Sequence, residues 1–179
     1  MPQKDRLDSI MAAWKRERPE LDPSPMGIIG RVFQLSKVLE QRLDDVFAKH
    51  GIGTWAFDVL AALRRSGEPY RQSPTALFSQ LLLSSGAMTN RIDRLENAGL
   101  VERVADPNDR RGVLVQLTTT GIELVNSIMP EHLQNEEKIL SGLTAAERKQ
   151  LAGLLRKLIL AQDTDAVDVD GSAEKLLRK

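Results

Sequence analysis

The chain has 179 residues, 41% of them hydrophobic, with 25 basic residues against 25 acidic ones and no cysteine. That length supplies the core of one ordinary domain without cross-links, and the missing cysteines exclude a disulfide, a thiolate zinc site and a thiol redox sensor. No window reaches the ~18 consecutive apolar residues of a membrane span and the first residues lack the apolar stretch of a secretory signal, so a cytoplasmic chain with no membrane partner is expected.

In chain order, Leu7, Ile10, Met11 and Trp14 recur at helical spacing, and Pro19, Pro23 and Pro25 stop that helix, which predicts a short N-terminal helix within 1–19. A long helix is expected over 26–50, carrying Ile29, Val32, Phe33, Leu39, Leu43, Val46 and Phe47 and ending at His50 and Gly51. Thr54 is the expected cap of the next helix, whose Trp55, Phe57, Val59, Leu60 and Leu63 make it apolar on most faces and therefore buried. Ser73 and Pro74 open a short helix, and Ser84, Ser85 and Gly86 form the turn before another helix that ends at Gly99.

The pattern then changes. Two β-prone runs, 100–104 and 113–117, flank a loop of turn residues at 106–112, which predicts a hairpin. Thr118 to Thr120 can cap a long helix that Pro130 should bend, and Thr144 with Glu147 makes a capping box for a last helix bearing Leu151, Leu154, Leu155, Leu158 and Ile159. Four aspartates and few apolar residues over 163–170 predict a disordered linker, so 163–179 is expected to be a flexible tail that can carry a frayed helix at Ala173 to Arg178. The fold expected is mainly α with a small β wing: a winged helix-turn-helix lobe at 54–117, flanked by dimerisation helices at 26–50 and 118–162. Long apolar helices outside a small lobe are best covered by a second copy, and a two-fold homodimer would present two recognition helices to palindromic double-stranded DNA.

On a helical wheel Met88, Ile92 and Leu95 form the docking stripe of the helix over 84–98, leaving Thr89, Asn90 and Arg94 to face base edges and phosphates. Ser84 and Ser85 stand at its N-terminus, where free amides favour a phosphate. The net charge of zero speaks against nucleic acid, yet every cation between Arg64 and Arg111 is arginine, whose planar fork suits guanine edges and narrow minor grooves.

Here the chain resembles the MarR family of bacterial transcription regulators, through Ser-Ser-Gly-Ala-Met-Thr-Asn-Arg-Ile-Asp-Arg-Leu-Glu-Asn-Ala-Gly-Leu-Val-Glu-Arg at 84–103, Asp-Pro-Asn-Asp-Arg-Arg-Gly at 106–112 and Leu-Thr-Thr-Thr-Gly at 117–121. The resemblance implies a homodimeric regulator, usually a repressor, in which Arg110 and Arg111 match the wing arginines that enter the minor groove and Asp109 matches their acidic partner. Within the family the chain is similar to the urate-responsive and trans-aconitate-responsive subgroup. That likeness implies a small anionic effector, urate-like or a polycarboxylate, held by Trp14, Asp58, Arg91 and Arg103. Asp58 is the one acid in its apolar helix, where an unpaired buried carboxylate is costly, so a neighbouring charge or water is expected.

An enzyme is not expected. His50 and His132 stand in no metal-binding, nucleophile-elbow or phosphate-loop pattern, so no catalytic residue, metal ligand or cofactor is assigned. The alternative to a DNA-binding regulator is a winged-helix module that binds only other proteins, which the neutral charge leaves open.

Overall fold

The computed structural model describes residues 4–81 and 85–176, with side chains given for all of these except 85–88 and 163–176. Its elements are α1 (Arg6–Glu17), α2 (Ser24–Ala48), α3 (Thr54–Arg65), β1 (Arg71–Gln72), α4 (Pro74–Leu81), α5 (Ser85–Asn97), β2 (Val101–Asp106), β3 (Asp109–Leu117), α6 (Thr119–Ile139) and, after a 3-10 turn at Leu140–Gly142, α7 (Ala145–Leu176). The mainly α architecture with a small antiparallel sheet agrees with the fold class expected from sequence. By its internal contacts the chain forms two units, Met1–Asn135 and Glu136–Lys179.

In the first unit, α3 is the centre of the core. Val59, Leu60, Ala62 and Leu63 are shut off from solvent, and Phe47 of α2, Leu77 of α4, Ile92 and Leu95 of α5, Val115 and Leu117 of β3 and Val125 and Ile128 of α6 pack around them. Helix α1 is held to α2 by polar groups. Asp5 and Asp8 form a reciprocal capping box at its start, and Arg31 donates to Asp5 at 2.8 and 3.0 Å and to Asp8 at 2.8 Å. Thr54 does not cap α3: Gly53 takes the cap position, and the Thr54 hydroxyl donates to the Asp44 carboxylate on α2 instead. An extended glycine can start a helix without a side-chain cap, which frees the hydroxyl for a tertiary bond.

The hairpin is longer than the sequence predicts. Asp106 pairs with Asp109 across a two-residue turn, so β3 already runs through Arg110 and Arg111, and these residues are strand rather than loop. The Asp106 side chain accepts from Asn108 N–H at 2.8 Å, which closes the turn and lets the ladder satisfy the backbone beyond it. A third strand, β1, pairs Arg71 with Gln116 and gives the sheet order β1-β3-β2; two residues are too few to carry a strand periodicity.

Two junctions fix this sheet to the helices. Gly99, at φ +69°, turns the chain from α5 into β2. Thr118 caps α6 as expected, accepting from Gly121 N–H at 3.0 Å while donating to the Gly99 carbonyl at 2.8 Å. A Cβ on Gly121 would stand 2.1 Å from the Leu100 carbonyl oxygen, so only glycine fits that crossing. Pro130 lies inside α6, which continues to Ile139.

In the second unit the predicted capping box of α7 is present: the Thr144 hydroxyl accepts from Glu147 N–H at 3.3 Å, and the Glu147 carboxylate accepts from Thr144 N–H at 2.8 Å. Arg148 pairs with Glu137 at 2.6 Å. Helical backbone continues to Leu176, where composition predicts a flexible tail, and no proline interrupts that stretch.

Candidate nucleic-acid interface

Helix α5 is supported on three sides. Ile92 and Leu95 bury its inner ridge, exposed to 1% and 2%. On one flank Arg91 and Arg94 reach back to Trp55 on α3, with guanidinium carbons 5.6 and 4.7 Å from the indole ring centroid. On the opposite flank Asp93 and Glu96 both pair with Arg103 of β2, and Glu96 also accepts from the Arg103 backbone N–H at 3.1 Å. The bond to Asp93 leads the influences that raise the Arg103 guanidinium above its already high range. Thr89 and Asn90 remain on the outer side, where Asn90 is exposed.

The other predicted contacts divide clearly. Ser84 lies outside the described residues; Ser85 opens α5, its side chain likewise outside them. Arg110 and Arg111 are exposed on the hairpin near its tip and make no ion pair among the described residues. Asp109 bonds not to an arginine side chain but to the backbone N–H of Arg111, at 2.9 Å, so here it stiffens the strand start. Arg94 departs from the wheel, since its Cβ points outward while its guanidinium folds back onto Trp55.

Of the four residues assigned to an anion, one chain brings two together. Asp58 stands one turn after Trp55 on α3, and Arg91 is the foremost influence favouring its charged form, followed by Arg65 and His132. Partial burial outweighs all three and pushes the Asp58 carboxyl above the usual carboxylate range, although much of its surface still meets solvent. Arg103 is occupied on the far flank of α5. Trp14, 47% exposed on α1, makes no hydrogen bond, ion pair or ring contact with the other three among the described residues. A cavity of about 490 Å³ lies elsewhere, between Arg42 and Asp45 of α2, Lys49 just past its end and Asn135 of α6, and none of the four lines it.

Sequence reasoning placed Trp55 in the apolar face of α3, and it does pack against the core, but its contact with Arg91 and Arg94 was missed because nothing in a single sequence signals which arginines a tertiary contact will bring to a ring. It also missed His132, whose ring packs 5.4 Å from Phe47 and 5.1 Å from Phe57 beside Asp58. The second histidine, His50, faces Glu131 at 3.3 Å.

Residues 50–112, which span α3 to the wing, match the profile of the MarR family. The chain is 40% identical over 152 residues to the HTH-type transcriptional regulator PecS of Dickeya dadantii, an alignment covering 85% of this chain and 92% of PecS. The chain belongs to the MarR family. Its fold superposes on a MarR variant from Escherichia coli complexed with operator DNA with a TM-score of 0.66 and 28% identity, covering 81% of this chain and 96% of that one. The MarR-family fold is equally apparent against AbsC of Streptomyces coelicolor, at a TM-score of 0.74 and 21% identity over 80% of this chain and 97% of AbsC. The relatives are transcriptional regulators, and among the described residues no helix is long and apolar enough to cross a membrane.

Proposed function

We propose that this MarR-family regulator acts in the cytoplasm as a homodimeric repressor that binds palindromic double-stranded DNA. In this reading α5 enters the major groove and the wing follows the neighbouring minor groove. The observation that carries it is the division of charge on the lobe. Arg103 is taken up by the Asp93 and Glu96 carboxylates beside α5, whereas Arg110 and Arg111 project from the hairpin with no ion pair among the described residues and Asn90 faces outward beside Thr89. Arginine in a narrow minor groove and asparagine toward adenine are the pairings such a surface offers. The operator complex of the Escherichia coli relative supports duplex DNA as the partner. The exposed Ile28, Val32 and Phe33 of α2 and Leu154, Leu158 and Ile159 of α7 support a second copy as their cover.

A gel-shift series across salt tests the reading. Specific duplex binding weakens steeply as salt rises, in proportion to the phosphates contacted. Absence of duplex binding even at low salt would transfer the fold to the alternative, a winged-helix module for protein partners.

We further infer that release follows binding of a small planar or polycarboxylate anion near Asp58 and Arg91, urate and trans-aconitate being the chemistries the subgroup resemblance implies. An anion arriving beside Arg91 would meet the Asp58 carboxylate and draw a side chain of α5 away from its present contacts. The shift requires tighter binding to the DNA-free conformation than to the bound one. Thermal shifts of the protein with urate, trans-aconitate and citrate test for a ligand. An Asp58→Asn protein that is still released from DNA at wild-type ligand concentrations would refute the repulsion.

A further inference from the structure

We propose that Trp55 is a positioning residue for DNA recognition, and that Arg94 acts by stacking on it rather than by reading a base or phosphate. The proposal rests on the reading that α5 is the recognition helix. A helix seated on a single ridge, here Ile92 and Leu95, is free to roll about that ridge unless its flanks are held. A roll of about 20° moves a side-chain tip about 5–6 Å from the axis through about 2 Å, more than a hydrogen bond tolerates. The outer residues Thr89 and Asn90 therefore depend on whatever stops the roll.

Two stops are present, on opposite flanks. Arg103 ties Asp93 and Glu96 to the sheet. Among the described residues Trp55 alone supplies a ring to the other flank, with Arg94 at 4.7 Å and Arg91 at 5.6 Å, both inside the ~6 Å reach of a cation over an aromatic face. Two guanidiniums on one ring repel each other, and Asp58, one turn along the same face of α3, offsets that charge through Arg91. Indole is the strongest of the aromatic faces for a cation, and Trp55, packed against the core yet only partly buried, keeps ring surface open to both guanidiniums. The wheel places the Arg94 Cβ beside that of Asn90, one turn away, so the stack holds in place the same side of the helix that faces DNA.

The test uses the full chain and a duplex selected by the wild-type protein from a random 30-base-pair pool, with a scrambled duplex as reference. Trp55→Leu and Arg94→Gln are each expected to weaken the selected duplex about tenfold, on the scale of one lost base contact, and to leave the scrambled duplex and the salt slope unchanged. Trp55→Phe, which keeps a weaker ring face, should fall between. The double variant Trp55→Leu/Arg94→Gln should be no worse than the poorer single variant, because both remove one stack. Multiplying losses, or an Arg94→Gln salt slope reduced by about one, would make Arg94 a direct contact and overturn the proposal. If Trp55→Leu does not fold, acrylamide quenching of Trp55 in a Trp14→Phe background decides: Arg94→Gln must increase quenching, and no change refutes the stack. A wild-type protein that selects no duplex removes the DNA reading itself. One that selects a duplex whose preference survives Trp55→Leu removes only this proposal.

Discussion

The core around α3, which includes Phe47 of α2 and Val125 and Ile128 of α6, and the outer faces of the flanking helices use the same residue types in opposite ways. Leu60, Leu63 and Leu77 have no solvent exposure, whereas Phe33 of α2 is 66% exposed and Ile159 of α7 61%. The lobe completes its core within one chain. The flanks present aliphatic and aromatic surface that one chain does not cover, and water penalises it at roughly 25 cal/mol per Å². Stability of the lobe should therefore be a property of each protomer, and stability of the flanks a property of concentration.

Truncation inside the lobe has the largest expected effect. Leu60→Ala removes a side chain with no exposed surface, at a cost of about 2–5 kcal/mol, and thermal unfolding should register the loss at every protein concentration. A charge on the flank breaks the comparison from the other side. Phe33→Glu should leave the lobe folded by circular dichroism yet yield monomer in sedimentation, with duplex affinity down about a hundredfold as two linked half-sites become two separate ones. Leu60→Ala confined to the oligomer, or Phe33→Glu without change of mass, would erase the distinction.

The wing sharpens the same contrast, since its charge is as uncovered as the apolar flanks. Arg110→Gln/Arg111→Gln should leave the stability measured by thermal unfolding within about 0.5 kcal/mol of wild type, as surface changes do. It should also reduce the salt slope of duplex binding by about one to two, one for each phosphate that the arginines no longer neutralise. Equal salt slopes would place the wing away from DNA.

What was legible in the sequence follows from the range of the forces involved. The buried face of α3, the Thr118 cap and the reciprocal Thr144 and Glu147 bonds are set by residues within a few positions, and each stands as the spacing predicts. Three features were not legible because they depend on partners distant in sequence or on pairing between strands. Thr54 gave up its capping role to bond Asp44. The turn residues before Gly112 were drawn into the ladder once Asp106 faced Asp109. The wheel located the Arg94 Cβ, but a long flexible side chain ends where a distant ring attracts it. For the four residues assigned to an anion the limit is sharper, since within one chain Arg91 acts on the Asp58 carboxyl, whereas Arg103 is paired with Asp93 and Glu96 and Trp14 stands exposed on α1.

The smallest expected effect probes the one acid on the lobe's central helix. Partial burial raises the Asp58 carboxyl above its ordinary value of 3.8, so the folded state holds the proton more tightly than the unfolded chain does. Its charged form therefore costs stability at neutral pH. That cost is complete above the folded pKa, fades as pH falls through it, and is gone below 3.8. Asp58→Asn should raise the melting temperature slightly at pH 7, with a gain that shrinks steadily on acidification. The gain is small because much of the carboxyl meets water and because Arg91, Arg65 and His132 already favour the charge. A melting temperature lowered by the substitution at pH 7 would mean that the attraction to Arg91 exceeds the burial penalty, making Asp58 a structural tie between α3 and α5 rather than a charge held at some expense beside α5.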